Sequence, residues 1–386
     1  LRAGFFLFLR HLRDACDRPE RSTMENYSIY LPSYSIGPDV YKKIPEICLP
    51  YGNKAVVIGG HTATEVIFRP LNEALAGSDL AISQYIWYGG EATYENVEAL
   101  SRNKAVQEAD MIFAVGGGKA VDTVKCLGVR TGKPVFTFPT IASNCAACTS
   151  VSIMYHPDGS FMEPFFFAKP PAHAFIQTSL VADSPVKYMR AGIGDTYAKY
   201  FESTISARGD ILPHYVSLGV NTSTLCYEPL MQYGRKALED MAAGIPSFEF
   251  EQTVLSIVVT TAIVSILVTS DHIIDYNTGL GHAVYYALTS FPEIEEGRLH
   301  GDLVAYGVLL LLLVDDQQEN FRRVFEFNRQ TGIPAVMADV GLTKDRLDEV
   351  IKKTVSMKDI DHNPYPITED MVREAIKTLE KYASEH

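Results

Sequence analysis

Two groups of residues in this chain could do chemistry, and they lie far apart along it. The first is a turn. The apolar run Met111 to Val115 ends in Gly116, Gly117 and Gly118, Lys119 follows, and Val121, Val124 and Leu127 then recur with helical period. That pattern is a strand, a tight turn and a helix N-terminus. Glycine lets a backbone approach a ligand closely because no Cβ intervenes. The free N–H groups of a first helical turn favour an anion, and Lys119 adds a cation beside them. The natural ligand is a phosphate or pyrophosphate. The spacing is neither that of a nucleoside-triphosphate P-loop nor the usual Gly-x-Gly-x-x-Gly of dinucleotide folds, so a ligand-free glycine turn stays open. The second group is Asp195, His282 and His300, each beside a glycine: Gly194, Gly281 and Gly301. A carboxylate and two imidazoles suit Zn²⁺ or another divalent transition metal. Three protein ligands and one open position mark a catalytic metal, not a structural one. Each residue has a plainer alternative. Asp195 could be a helix N-cap, and the histidines could be ordinary buried or surface side chains.

The other chemistry-bearing residues are less informative. Cys145-Ala-Ala-Cys148 is a lone Cys-x-x-Cys in a Thr/Ser-rich connection, and no second pair exists to complete a zinc ribbon. Reduced, loop-lining thiols are the better reading. The remaining histidines, among them His61, His173, His272 and His362, have no comparable context.

The elements that must position these groups follow from composition and pattern. The chain has 386 residues, 47% apolar and 21% charged, enough for two domains of an ordinary globular enzyme. A formal charge of −13 argues against nucleic acid or an anionic membrane as the main partner. Residues 1–23 mix a short apolar run with five arginines and read as an extension of doubtful origin. Residues 253–269 are uncharged but hold several Thr and Ser, which suits a buried core helix better than a membrane span. From Lys54 to Phe138, β-rich runs (54–58, 81–87, 111–115, 134–138) alternate with helical ones. This βα rhythm implies a mostly parallel sheet with helices on both faces and ligands at the carboxyl ends of the strands. Two further strands flank an Asp158-Gly159 turn. After Pro185 the strands stop, and helical patterns cover 186–207, 212–243, 247–270, 279–290, 302–315, 345–357 and 368–385. The expected organisation is an α/β dinucleotide-binding domain over 24–184 and an all-α metal-binding domain over 185–386.

The Gly-Gly-Gly-Lys-x-x-Asp-x-x-Lys motif at 116–125 is joined by Pro139-Thr-Ile-Ala-Ser143, Gly192-Ile-Gly-Asp-Thr196, Gly281-His282 and His300-Gly301. Together these resemble the glycerol dehydrogenase branch of the iron-containing alcohol dehydrogenase superfamily, in the same order from about Asn26 to the C-terminus. The resemblance implies a Rossmann-like N-terminal domain and a helical metal domain, the dehydroquinate synthase-like arrangement, with the active site in the cleft between them. It implies that Asp195, His282 and His300 hold the metal. It also implies that Gly117, Gly118, Lys119, Asp122, Thr140, Ser143, Thr149, Val151 and Tyr155 line the NAD site. The reaction implied is a metal-dependent, NAD(P)-linked interconversion of a small alcohol (a polyol, 1,2-diol or 2-hydroxy acid) and its carbonyl.

Three positions depart from the strict pattern. Iron-dependent relatives carry a His four residues after the ligand Asp; here that residue is Lys199, which cannot be a ligand, so Zn²⁺ is favoured over Fe²⁺. Glycerol dehydrogenases carry an Asp where this chain has Cys145. That residue would touch the substrate, and its neutrality is similar to the hydroxycarboxylate dehydrogenase members, which makes a 2-oxo acid reductase the alternative. Relatives strict for NAD place an Asp after the first strand; Gly60 removes it, so NADP becomes acceptable. A phosphorylated-substrate enzyme on the same scaffold would need extra Lys or Arg near Asp195 and His282, and the sequence there shows no basic cluster. We expect a cytoplasmic homo-oligomer whose partner is a small-molecule substrate, with neither nucleic acid nor a membrane involved.

Overall fold

Short apolar runs bounded by glycine or proline become the strands of one parallel sheet. The computed structural model describes residues 26–386, so the reading of residues 1–23 lies outside the described residues. Six strands form the sheet: β1 (Tyr34–Gly37), β2 (Lys54–Gly59), β3 (Ala81–Trp87), β4 (Met111–Gly116), β5 (Val135–Pro139) and β8 (His173–Gln177). Their order is β1-β8-β5-β4-β2-β3, and every pairing is parallel. Successive side chains on a strand point to opposite faces. Ala55 and Val57 accordingly join one core with Phe113, Phe136 and Phe138, while Val56 and Ile58 join another with Ile112 and Ala114. A separate antiparallel hairpin, β6 (Val151–Tyr155) and β7 (Phe161–Phe166), follows the sheet's fifth strand.

The strand order reverses between β2 and β4. Chain connections leave in opposite directions there, which opens a crevice at the carboxyl ends of the two strands. Gly59 and Gly60 end β2, and Gly116 ends β4 with φ 133°, a conformation that a side chain would strain. The helix Gly118–Thr131 then starts over this crevice.

Beyond the helix Thr178–Ala182 the described chain is helical. Two long helices, Val186–Ser206 and His300–Val314, form its centre. Both are buried nearly all round, so hydrophobic patterning alone does not fix which faces meet. Arg190 pairs with Asp302 near the start of each helix, and Arg208 pairs with Asp315 just past their ends, so the two run in parallel. Residues 248–268 are long and apolar enough to cross a membrane by length and composition. They are 72% buried inside the fold, packed in the helical core.

Several predicted boundaries shift. The helical stretch between the β-rich runs 81–87 and 111–115 is two helices, Tyr94–Ser101 and Lys104–Glu108; Asn103 breaks it by accepting the Ala105 N–H at 2.8 Å as a new N-cap. The run 212–243 divides at Ser223–Cys226, because Pro229 suits only the first turn of the next helix, Glu228–Ala242. The run 247–270 contains a turn of π-helix at Ser256–Thr260. Two strands of the sheet and one long helix escape the sequence patterns, as do short helices such as Ile44–Cys48 and Thr178–Ala182. β1 is four residues long, β8 is buried on both faces and so shows no alternation, and the helix Gln318–Thr331 carries a charged outer face.

Candidate active site

Asp195 lies in the middle of the helix Val186–Ser206. The N-cap alternative is thereby corrected: its backbone is already satisfied within the helix, and its side chain faces outward to the neighbouring elements. His300 is the first residue of the helix His300–Val314, and His282 lies in the first turn of Leu280–Thr289. The neighbouring glycines explain how these helices come so close. A Cβ on Gly301 would stand 1.8 Å from the Ala191 carbonyl oxygen, and one on Gly194 2.4 Å from the Gly301 oxygen. A Cβ on Gly307 would stand 2.5 Å from the Gly281 oxygen. Backbone thus rests on backbone at both crossings, and the adjacent side chains converge.

The His300 Nε2 is 3.2 Å from Asp195 Oδ1, and the His282 Nε2 is 3.7 Å from the same oxygen. All three donor atoms lie within 4.8 Å of one another. Ligand atoms at about 2.0–2.1 Å from one tetrahedral zinc ion stand about 3.3 Å apart. The donor set fits a divalent ion in type, and the two carboxylate–imidazole distances of 3.2 and 3.7 Å bracket that spacing. Burial alone would raise the Asp195 pKa, but His300, His282 and Lys199 together hold its carboxyl down to about 2. Tyr285 packs its ring edge-on against His300 at 4.2 Å.

Glu202 is the functional residue that the sequence patterns did not expose. It is buried, and both its oxygens bind His282: Oε1 accepts the backbone N–H at 3.0 Å, and Oε2 lies 2.7 Å from Nδ1. A proton on Nδ1 facing this carboxylate leaves Nε2 with its lone pair toward Asp195 and His300. Burial alone would lower the His282 pKa, but Glu202 outweighs it and holds the imidazole above its ordinary value. The signal was present: Glu202 stands seven residues after Asp195, two turns along the same helix face.

A cleft of about 1670 Å³ runs from the crevice at β2 and β4 to this triad. Gly117, Gly118, Lys119, Asp122, Thr140, Ser143, Thr149, Val151 and Tyr155 all line it, as do Cys145, Asp195, His282 and His300. Lys119 reaches Glu91 across the glycine turn. Asp122 is engaged within the fold: it pairs with Lys125 at 2.9 Å and accepts the Ile153 N–H at 3.2 Å, tying β6 to the glycine-turn helix. Gly60 faces open space, where a Cβ would meet only a Tyr88 ring carbon at 3.7 Å. His61 beside it stacks on Trp87 at the far end of the cleft. Cys145 and Cys148 are free thiols on a short 3-10 turn, and burial pushes the Cys145 thiol up to about 12, so it is neutral at ordinary pH. Lys199 donates to the carbonyl and side-chain oxygens of Asn277.

The family model for iron-containing alcohol dehydrogenase matches residues 32–174. Glycerol dehydrogenase of Thermotoga maritima is 31% identical over 320 residues, 76% of this chain and 81% of its own length. Hydroxycarboxylate dehydrogenase A of Escherichia coli is 28% identical, with 78% of this chain and 83% of that protein covered. Among solved structures, a probable glycerol dehydrogenase from Sinorhizobium meliloti superposes with a TM-score of 0.78 at 26% identity, covering 93% of this chain and 99% of the other. Likeness over most of both chains, on a parallel six-stranded α/β half and a helical half, gives one conclusion: the chain belongs to the iron-containing alcohol dehydrogenase family, in its glycerol dehydrogenase branch, and is an oxidoreductase.

Proposed function

We propose that the protein is a divalent-metal-dependent dehydrogenase that uses NAD or NADP to interconvert a small alcohol and its carbonyl. The observation that carries this reading is the single cleft shared by the glycine turn and the Asp195, His282 and His300 donors. In this reading residues 24–184 form the dinucleotide domain and residues 185–386 the metal domain. A bound divalent ion supplies Lewis-acid polarisation of the substrate oxygen, and a nicotinamide supplies the hydride acceptor or donor. Zn²⁺ is the preferred ion, because Lys199 stands where a fourth protein donor would be, leaving one carboxylate and two imidazoles.

The chain's own residues do the positioning. The backbone N–H groups after Gly117 and the dipole of Gly118–Thr131 receive the pyrophosphate, and Lys119 adds its charge. Thr140, Ser143, Thr149, Val151 and Tyr155 line the nicotinamide end. Asp195, His282 and His300 hold the ion, with Glu202 fixing the His282 ring. Cys145 and the walls around Thr261 and Ser265 bound the substrate space. Gly60 leaves room for a 2′-phosphate, which supports NADP alongside NAD.

The test pairs metal content with turnover. His282→Ala and His300→Ala should each bind less than one-tenth of the wild-type zinc and lose turnover by at least 10³-fold (on the order of the loss expected of a metal's transition-state role), while NAD(H) binding persists. Wild-type turnover in either variant after exhaustive chelation would falsify the metal reading.

A further inference from the structure

Lys199 is a buried lysine whose ammonium makes no salt bridge within 4 Å among the described residues, although the Asp195 carboxyl feels its charge. Only 6% of the residue is exposed. Its Nζ donates to Asn277 O at 2.5 Å and to Asn277 Oδ1 at 2.7 Å, both neutral oxygens. An ammonium has three N–H donors, so one is left. The residue lines the same cleft as Asp195, Cys145, Thr261 and Ser265. Asp195 is one helical turn away on the same face, at a spacing that puts the two Cβ atoms roughly 5–6 Å apart. Asp195 is no ion-pair partner for it; its Oδ1 faces His282 and His300.

A buried charge short of hydrogen-bond partners is costly, and a ligand that takes the remaining N–H offsets that cost. The tether to Asn277 holds the ammonium in place before any ligand arrives. The neighbouring Cys145 thiol is neutral and does not compete for the spare N–H, and the Asp195 oxygen is engaged by the two histidines. The group that fits is a substrate anion attached close to the carbon whose oxygen faces Asp195, His282 and His300.

We infer that Lys199 is the specificity-determining residue of the cleft. It receives a carboxylate directly bonded to the reacting carbon, which makes a 2-oxo acid and its 2-hydroxy acid the preferred substrate pair. This rests on the dehydrogenase reading above and adds the substrate class to it. A neutral ketol of the same size leaves the ammonium unpaired and desolvated, and is discriminated against for that reason.

The experiment compares pyruvate with hydroxyacetone, which differ only in carboxylate against hydroxymethyl, using the zinc-loaded enzyme with NADH and with NADPH. Wild type should prefer pyruvate by at least about tenfold in kcat/KM. Lys199→Met should lower the pyruvate-to-hydroxyacetone ratio about 100-fold, mainly through KM, as expected for removing one partner of a buried charge pair. Lys199→Arg, which keeps the charge, should retain the preference in direction. Binding of oxamate to the enzyme–NADH complex should weaken about 100-fold in Lys199→Met, independently of turnover. Lys199→Gln replaces Lys199→Met if the latter does not fold. An unchanged ratio with unchanged oxamate binding overturns the assignment. Wild-type preference for hydroxyacetone overturns it too, while leaving the dehydrogenase reading standing. Failure to reduce either compound, or any of a wider panel of small carbonyls, removes the dehydrogenase reading itself.

Discussion

Glu202 and Gly60 lie outside the donor set and make its surroundings testable one residue at a time. Glu202 binds both polar atoms that His282 turns away from the cleft. Glu202→Gln keeps the shape but cannot satisfy the backbone N–H and Nδ1–H together without turning an NH₂ toward one of them. Zinc affinity, read by competition with a chromophoric chelator, should fall about 10–100-fold; unchanged affinity would remove Glu202 from the account. Gly60 faces open space at the end of β2. A carboxylate there would accept from a ribose hydroxyl and repel a 2′-phosphate. Gly60→Asp should therefore raise the NAD-to-NADP ratio of kcat/KM at least tenfold (on the order of 1.4 kcal/mol), and constant Michaelis constants for both would show that this strand end does not meet the ribose. At this scale the sequence was informative where residue types are rare and adjacent to glycine, as at Asp195, His282 and His300. It was silent on Glu202, because a lone glutamate in a helix looks like any other until its partner eighty positions away is known. Asn277 escaped for the same reason.

The elements matter through their crossings. The helix Val186–Ser206 meets His300–Val314 backbone to backbone at Gly194 and Gly301, and that contact sets the spacing of Asp195 and His300. Gly301→Ala has no room: the neighbouring atoms at Ala191 and Asp195 are main chain, so the helices must separate. The cost should be about 1–3 kcal/mol from overpacking, seen as a lower urea midpoint, and zinc content should fall with it. A variant of wild-type midpoint and full zinc content would mean that the crossing does not set the site. Strands β2 to β5 were legible because they are short apolar runs stopped by glycine or proline. β8 was not, since burial on both faces erases alternation, and neither was the four-residue β1. Helix Gln318–Thr331 was legible in principle from Phe321, Val324, Phe325 and Asn328, which share one buried face. The long helical runs were found, but their interruptions depend on local capping by Asn103 and on Pro229, which period alone does not register.

Across the whole molecule, the two central helices are clamped at their far ends by Asp315. Its carboxylate accepts two N–H bonds from Arg208 at 2.9 and 2.6 Å, and further bonds from Tyr365 and Gln317. Burial alone would raise its pKa, but these partners hold it below the ordinary value of 3.8. A carboxylate whose folded pKa is depressed adds stability above its unfolded pKa and loses it as pH falls through the folded one. Asp315→Asn should cost about 1–3 kcal/mol at neutral pH and flatten the loss of stability below about pH 4. Equal acid slopes for both proteins, measured by urea unfolding from pH 3 to 7, would show that the clamp carries no linked proton. Anomalous diffraction at the zinc edge, from crystals grown with zinc and NAD, is the most direct test of the whole account. It should show one ion bonded to Asp195, His282 and His300, with the dinucleotide's pyrophosphate on the glycine turn of the same cleft. An ion bound elsewhere, or a dinucleotide whose nicotinamide points away from those three side chains, would contradict it.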